Sequence, residues 1–184
     1  MTTQTYTVEG HAAQVFVMPL MQEGRRRERE QRTEELLLER IFGNKATLNH
    51  TAEGKPFVEG TNIHISISHS KTRLAIGVSA DTRIGIDIED ISPRLERVKH
   101  KFLTEEEHRL LPTGSLQELA ICWSAKEAVY KVAGEAAGAL GENIKIDIPH
   151  ITGKSFHASV GKQQYNVEVV EQTADYEIVA AWEC

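Results

Sequence analysis

Arg83-Ile84-Gly85-Ile86-Asp87-Ile88-Glu89-Asp90 is the stretch on which the reading of this 184-residue chain turns. Its strict alternation predicts a β-strand. Ile84, Ile86 and Ile88 line one face, and Asp87 and Glu89 project from the other, about 6.6 Å apart along the strand. Two carboxylates side by side on so apolar a strand repel, and at least one tends to hold its proton. A bound divalent cation relieves that repulsion. Hard oxygen ligands at this spacing suit Mg²⁺, which keeps several waters and takes phosphate oxygens as further ligands. A strand whose polar face simply meets water relieves it as well. Spacing by itself leaves both readings open.

Working outward, Asn62 to Ser70 also alternates: Ile63, Ile65, Ile67 and His69 point one way, and His64, Ser66 and Ser68 the other. That pattern predicts a half-buried strand, with Leu74–Ser79 as its hairpin partner. Upstream, Gly54-Lys55-Pro56 reads as a turn, Glu23–Phe42 as a helix stopped by Gly43, and Ala13–Met18 as a strand ended by Pro19. Downstream, Thr104 with Glu107 and Ser115 with Glu118 have capping-box spacing. The second pair opens a helix running to about Ala133, where Gly134 stops it. Asn143–Ile148, Tyr165–Val170 and Tyr176–Trp182 read as strands, the last two as a hairpin. The order strand, helix, hairpin thus occurs twice. It suggests a duplication, and chance recurrence of a common order stays open beside it.

Apolar residues make up 40% of the chain and charged residues 26%, values of a globular protein rather than a disordered one. The net charge of -6 disfavours a protein that binds nucleic acid by neutralising phosphates. Cys122 and Cys184 have no metal spacing and form no disulfide framework, which fits a reducing compartment. Met1–Gly10 has no basic stretch followed by an apolar one, and no segment approaches a membrane span. A cytoplasmic chain with no nucleic-acid or membrane partner is the expectation.

Two further segments can carry chemistry. In Trp123-Ser124-Ala125-Lys126-Glu127-Ala128-Val129-Tyr130-Lys131, residues 123, 127 and 131 share a helical stripe. Glu127 and Lys131 are either a surface ion pair beside a core tryptophan or a ligand-or-base with a phosphate clamp. Ser68-His69-Ser70 ends a strand, and its groups can either cap a turn or donate hydrogen bonds to a phosphate. Neither G-x-G-x-x-G, a Walker A loop nor G-x-S-x-G is present, so phosphate binding would use side chains and cations. Arg25, Arg26, Arg27, Arg29, Arg32 and Arg40 are matched by six glutamates on the same predicted helix. A salt-bridged solvated face is the usual explanation, and one or two of these arginines can still face an anion.

Taken in order, Ile65–Ser70 (ISISHS), Gly85–Glu89 (GIDIE), Phe102–Glu107 (FLTEEE) and Trp123–Lys131 (WSAKEAVYK) resemble the 4′-phosphopantetheinyl transferase superfamily. Gly54–Lys131 carries nearly all of the likeness. An S-I-S-H strand ahead of the acidic strand looks like the longer, surfactin-synthetase-activating fused type, with a boundary near Asp81–Arg83. The resemblance implies an α+β pseudo-dimer of two similar halves, 1–81 and 82–184, with the active site in the cleft between them.

It also implies a reaction. Coenzyme A binds with its diphosphate on Mg²⁺, a serine of an apo acyl or peptidyl carrier protein attacks the phosphorus bearing the pantetheine arm, and 3′,5′-ADP leaves. By resemblance, Asp87, Glu89 and Glu127 are the metal-binding acids. Glu127, alone or through water, is the candidate base, and Lys131 contacts the diphosphate. Ser68, His69, Lys55 and Arg32 with Thr33 match coenzyme A contacts, while Glu107 matches a recurrent glutamate of unassigned role. Lys99, His100, Lys101 and Arg109 are candidate carrier contacts, and a monomer is expected because fusion supplies both halves of one site. A degenerate module that binds coenzyme A or a carrier without turnover, and a Mg²⁺-dependent phosphohydrolase, are the competing readings.

Overall fold

A computed structural model describes residues 2–44 and 46–184. The first half runs β1 (Gln4–Thr7), β2 (Ala13–Pro19), α1 (Arg26–Phe42), β3 (Leu48–His50), β4 (Pro56–Val58), β5 (His64–His69) and β6 (Arg73–Ser79). The second runs β7 (Ile84–Asp90), α2 (Arg94–Val98), α3 (Glu105–Leu110), α4 (Leu116–Ala133), α5 (Leu140–Asn143), β8 (Ile144–Ile146), β9 (Ser155–Val160), β10 (Gln163–Gln172) and β11 (Tyr176–Glu183).

Local signals account for most boundaries. The α1 helix starts three residues later than its apolar pattern predicts, because the Arg25 N–H donates to the Glu28 carboxylate at 3.1 Å and sets the first turn there. It stops at Gly43, whose φ of 83° closes the last turn with a bond to the Glu39 carbonyl at 2.8 Å. Both arms of the Thr104–Glu107 capping box form. At α4, the Ser115 hydroxyl accepts from the Glu118 N–H at 3.2 Å, but the Glu118 carboxylate turns to Thr113 and Gly114 instead of closing the box.

The strands form two antiparallel sheets, ordered β1-β2-β6-β5-β4-β3 and β7-β11-β10-β9-β8. Apart from β1 the orders correspond strand for strand: in each half a first strand leads into a helix, and a four-strand meander returns to pair with it. Short β3 and β4 carry no alternation long enough to read from sequence, whereas six-residue β9 does alternate, with Phe156 and Ala158 turned inward, and the sequence reading missed it. Three apolar cores fill the layers. Leu37, Met18, Leu74 and Ile76 pack α1 on the first sheet. Val15, Val17, Ile84, Ile86, Ile88 and Ile178 join the two sheets. Leu119, Cys122, Val129, Val167 and Val179 pack α4 on the second.

The seam between β5 and β7 is polar. The Ser66 and Ser68 hydroxyls accept from the Ile86 and Ile88 N–H groups at 3.0 and 3.3 Å, and Ser70 donates to Asp90 at 2.9 Å. Edge strand β7 thus gains side-chain partners where no strand pairs with it. The serine face of β5 is therefore buried, with Ser66 at 4% and Ser68 at 5% exposure, and does not meet water as half-burial predicts. The acidic face of β7 is covered too, by α4. Gly85 permits the close approach: a Cβ there would lie 2.1 Å from the Ala128 carbonyl oxygen.

Candidate active site

A cavity of about 730 Å³ opens between the halves, walled by the β3–β4 turn, β5 and the C-terminal end of α4. Lys55, His69, Arg83 and Lys131 bring positive or titratable groups to its lining, and Phe57 and Tyr130, both partly exposed, bring aromatic surface. Such a cavity, apolar with a few convergent polar groups, suits a small-molecule ligand.

Asp87 stands where the two halves meet. Its Oδ1 accepts from Ser68 Oγ of β5 at 2.6 Å and from Lys131 Nζ of α4 at 3.0 Å, while Oδ2 is buried without a partner. Lys131 also donates to the Ile86 carbonyl at 2.7 Å. The lysine therefore spans from helix to strand and pairs with Asp87, whereas helical spacing places it beside Glu127. Ser68 is committed to the same carboxylate.

The other acids gather electrostatically around Asp87. Burial, then the charge of Asp87, pushes Glu89 up to about 7, against the opposing pull of Arg94 at 3.5 Å. Burial and then Asp87 also raise Glu127, with Lys131 opposing. Glu177 of β11 pairs in register with Glu89, so its side chain shares that face. It is 0% exposed, and burial holds its carboxyl well above the ordinary range. Among the described residues, no three His, Cys, Asp or Glu side chains already stand as a metal-binding group.

The remaining candidate residues spread along the cavity and away from it. His69 Nε2 lies 3.4 Å from Glu30 of α1, whose carboxylate also takes Arg26 Nε at 2.6 Å. Lys55 donates to the Val132 carbonyl at 3.2 Å, and burial, then neighbouring Arg83, lower its proton affinity. Arg32 is exposed on α1, and the Thr33 hydroxyl is buried, accepting from the Met21 N–H at 3.1 Å and donating to the Arg29 carbonyl at 2.7 Å. Lys101 and Arg109 are exposed, and Lys99 is held by Glu96 at 2.6 Å. Glu107 lies away from the cavity lining: it anchors buried Lys126 at 2.8 Å and the Ile146 N–H at 3.1 Å.

Sequence reasoning missed Arg83 as a cavity residue and Glu177 altogether. The signal for Glu177 was an acid inside Tyr176–Trp182, a strand otherwise apolar on both faces.

The raised acids set a pH dependence for the metal-free chain. An acid whose folded pKa exceeds its unfolded value binds more protons when folded, so stability falls as pH rises between the two values. For Glu89 that window runs from the ordinary value of 4.5 to about 7, and Glu127 and Glu177 act in the same direction. Urea midpoints of the chelator-treated protein are expected to decline from pH 5 to pH 7.5. A flat or rising profile would remove the argument that these acids crowd one another.

Residues 83–181, more than half of the chain, match the family model of the 4′-phosphopantetheinyl transferase superfamily. The chain belongs to that superfamily, a class of transferases that move the phosphopantetheine group. The match spans β7, α4 and β11, the elements that bring Asp87, Glu89, Glu127, Lys131 and Glu177 together. No curated protein matches the chain.

Proposed function

We propose that the chain transfers the 4′-phosphopantetheine arm of coenzyme A to a serine of an apo acyl or peptidyl carrier protein, with Mg²⁺, releasing 3′,5′-ADP. Asp87 carries the proposal: one carboxylate oxygen gathers a β5 serine and an α4 lysine, while the other is buried and unpartnered, and that lysine also lines the substrate-sized cavity. On this reading the chain is a monomeric pseudo-dimer of halves 1–81 and 82–184, working in the cytoplasm, with its active site in the inter-half cleft. The matching strand orders of the two sheets support the duplication.

The donor set fits a hard divalent cation. Asp87, Glu89 and Glu127 are all oxygen donors, Asp87 adds to the raised proton affinity of both Glu89 and Glu127, and Asp87 Oδ2 lacks any partner. These three residues would hold Mg²⁺, which when bound offsets charge on the coenzyme A diphosphate. Lys131 supplies further positive charge beside the same oxygens. His69, Lys55, Arg83 and Arg32 are the candidate contacts for the rest of the nucleotide, and Ser68 acts by fixing Asp87.

Glu127 takes the proton of the carrier serine, directly or through one water. The serine oxygen bonds to phosphorus, the bridging P–O bond breaks, and 3′,5′-ADP departs with the electron pair. The protein's work is positioning and charge compensation.

Incubation with coenzyme A, Mg²⁺ and a panel of apo carrier proteins tests this by intact mass. A carrier is expected to gain one phosphopantetheine, and chelation is expected to prevent it. Binding of coenzyme A with no modification of any carrier would point to a degenerate binding module. Release of 3′,5′-ADP at full rate without a carrier would point to a phosphohydrolase.

A further inference from the structure

Among the described residues, Glu177 is the acidic group least explained by the fold. It is 0% exposed, and neither carboxylate oxygen has a hydrogen-bond partner. The Ser124 hydroxyl of α4, itself buried, stands close enough to favour the ionised carboxylate without completing a hydrogen bond. An acid of no use to the fold is costly in such a place, because burial without a bond is unfavourable even for a neutral polar group. Val179 and Ala181, which face α4 from the same side of β11, show that an apolar side chain packs there readily.

Register places the carboxyl. Glu177 pairs with Glu89 and Val179 with Asp87, so Glu177, Glu89 and Asp87 project from one face of the sheet toward α4. The charges of both Asp87 and Glu89 act on Glu177. An unpartnered, fully buried carboxyl is thus directed into the cluster that already holds the unpartnered Oδ2 of Asp87. Buried polar atoms without partners at such a point call for a water or an ion to complete their bonds.

We propose that Glu177 is a positioning residue of the acidic site: its carboxyl, with Ser124 beside it, holds a water belonging to the cation bound by Asp87, Glu89 and Glu127. Mg²⁺ retains several waters, and groups that orient a metal's own ligands are typically worth 10–100-fold in affinity. The inference rests on the metal-site reading above.

Mn²⁺ affinity, measured by its paramagnetic resonance signal in the presence of coenzyme A, separates the two. Wild type is expected to bind Mn²⁺ and Asp87→Asn to lose it. Glu177→Gln and Glu177→Leu are expected to bind about 10–100-fold more weakly, with unchanged or raised thermal midpoints. A purely structural glutamate would move the midpoint and leave the affinity alone. Unchanged Mn²⁺ affinity in both folded Glu177 variants, with Asp87→Asn still defective, would overturn the role of Glu177 and leave the metal site standing. Absence of Mn²⁺ binding in wild type would overturn both.

Discussion

Asp87→Asn is expected to lower carrier modification by about 10³-fold in kcat/KM, some 4 kcal/mol, the usual scale for removing one preorganised electrostatic contributor. The substitution is nearly isosteric. The amide oxygen still accepts from Ser68, and Lys131 keeps its bond to the Ile86 carbonyl at 2.7 Å. The negative charge alone is removed. That charge raises the proton affinity of both Glu89 and Glu127, so its loss relaxes the cluster. The metal-free variant is therefore expected to be as stable as wild type, with a flatter pH profile of urea midpoints. Loss of transfer with retention of fold separates chemistry from architecture. Wild-type turnover by purified Asp87→Asn would contradict the assignment of Asp87 as a metal ligand.

Glu107→Ala is expected to cost about 3–5 kcal/mol of stability, the range for stripping one partner from a buried ion pair. Lys126 Nζ, on a residue 0% exposed, has Glu107 Oε2 at 2.8 Å. The same carboxylate takes the Thr104 N–H at 2.9 Å and the Ile146 N–H at 3.1 Å. Three elements depend on it: the start of α3, the middle of α4 and β8. Alanine leaves an unpaired ammonium and two unpaired N–H groups in the core. Glu107→Gln combined with Lys126→Met is expected to recover part of the loss, since the charge is gone and the amide oxygen still accepts from one of the two N–H groups. Urea unfolding of the single and double variants measures both. A single-variant cost below about 1 kcal/mol would show that the latch is dispensable, contrary to the penalty expected for an unpaired buried charge.

Where an element depends on neighbours in the chain, it was readable in advance. The alternation of Ile84–Asp90 predicts the strand and the shared face of Asp87 and Glu89. Thr104 with Glu107 predicts a helix start, and both arms of that box form. The spacing of GIDIE and WSAKEAVYK points to the superfamily that the match over residues 83–181 shows. Partnerships across the fold were not readable. Ser66 and Ser68 look like the wet side of a strand, yet they cap the edge of β7. Lys131 is one helical turn from Glu127 but bonds Asp87, because Gly85 lets α4 sit against the strand. Glu107 serves as a buried latch, a role that only the arrival of Lys126 and Ile146 beside it reveals.

Periodicity, capping residues and motif order lie within reach of short-range rules, because side-chain direction repeats every 2 or 3.6 residues and caps act over one turn. By themselves they determine the longer strands, the helices α1, α3 and α4, and the superfamily. Which carboxylate meets which cation is set by contacts between residues 19 to 44 positions apart, and which acid is sealed from water by packing across the fold. The energy of a charge depends on its burial and on who stands beside it, and both come into being only when α4 closes on β7 and β5 docks along the same strand.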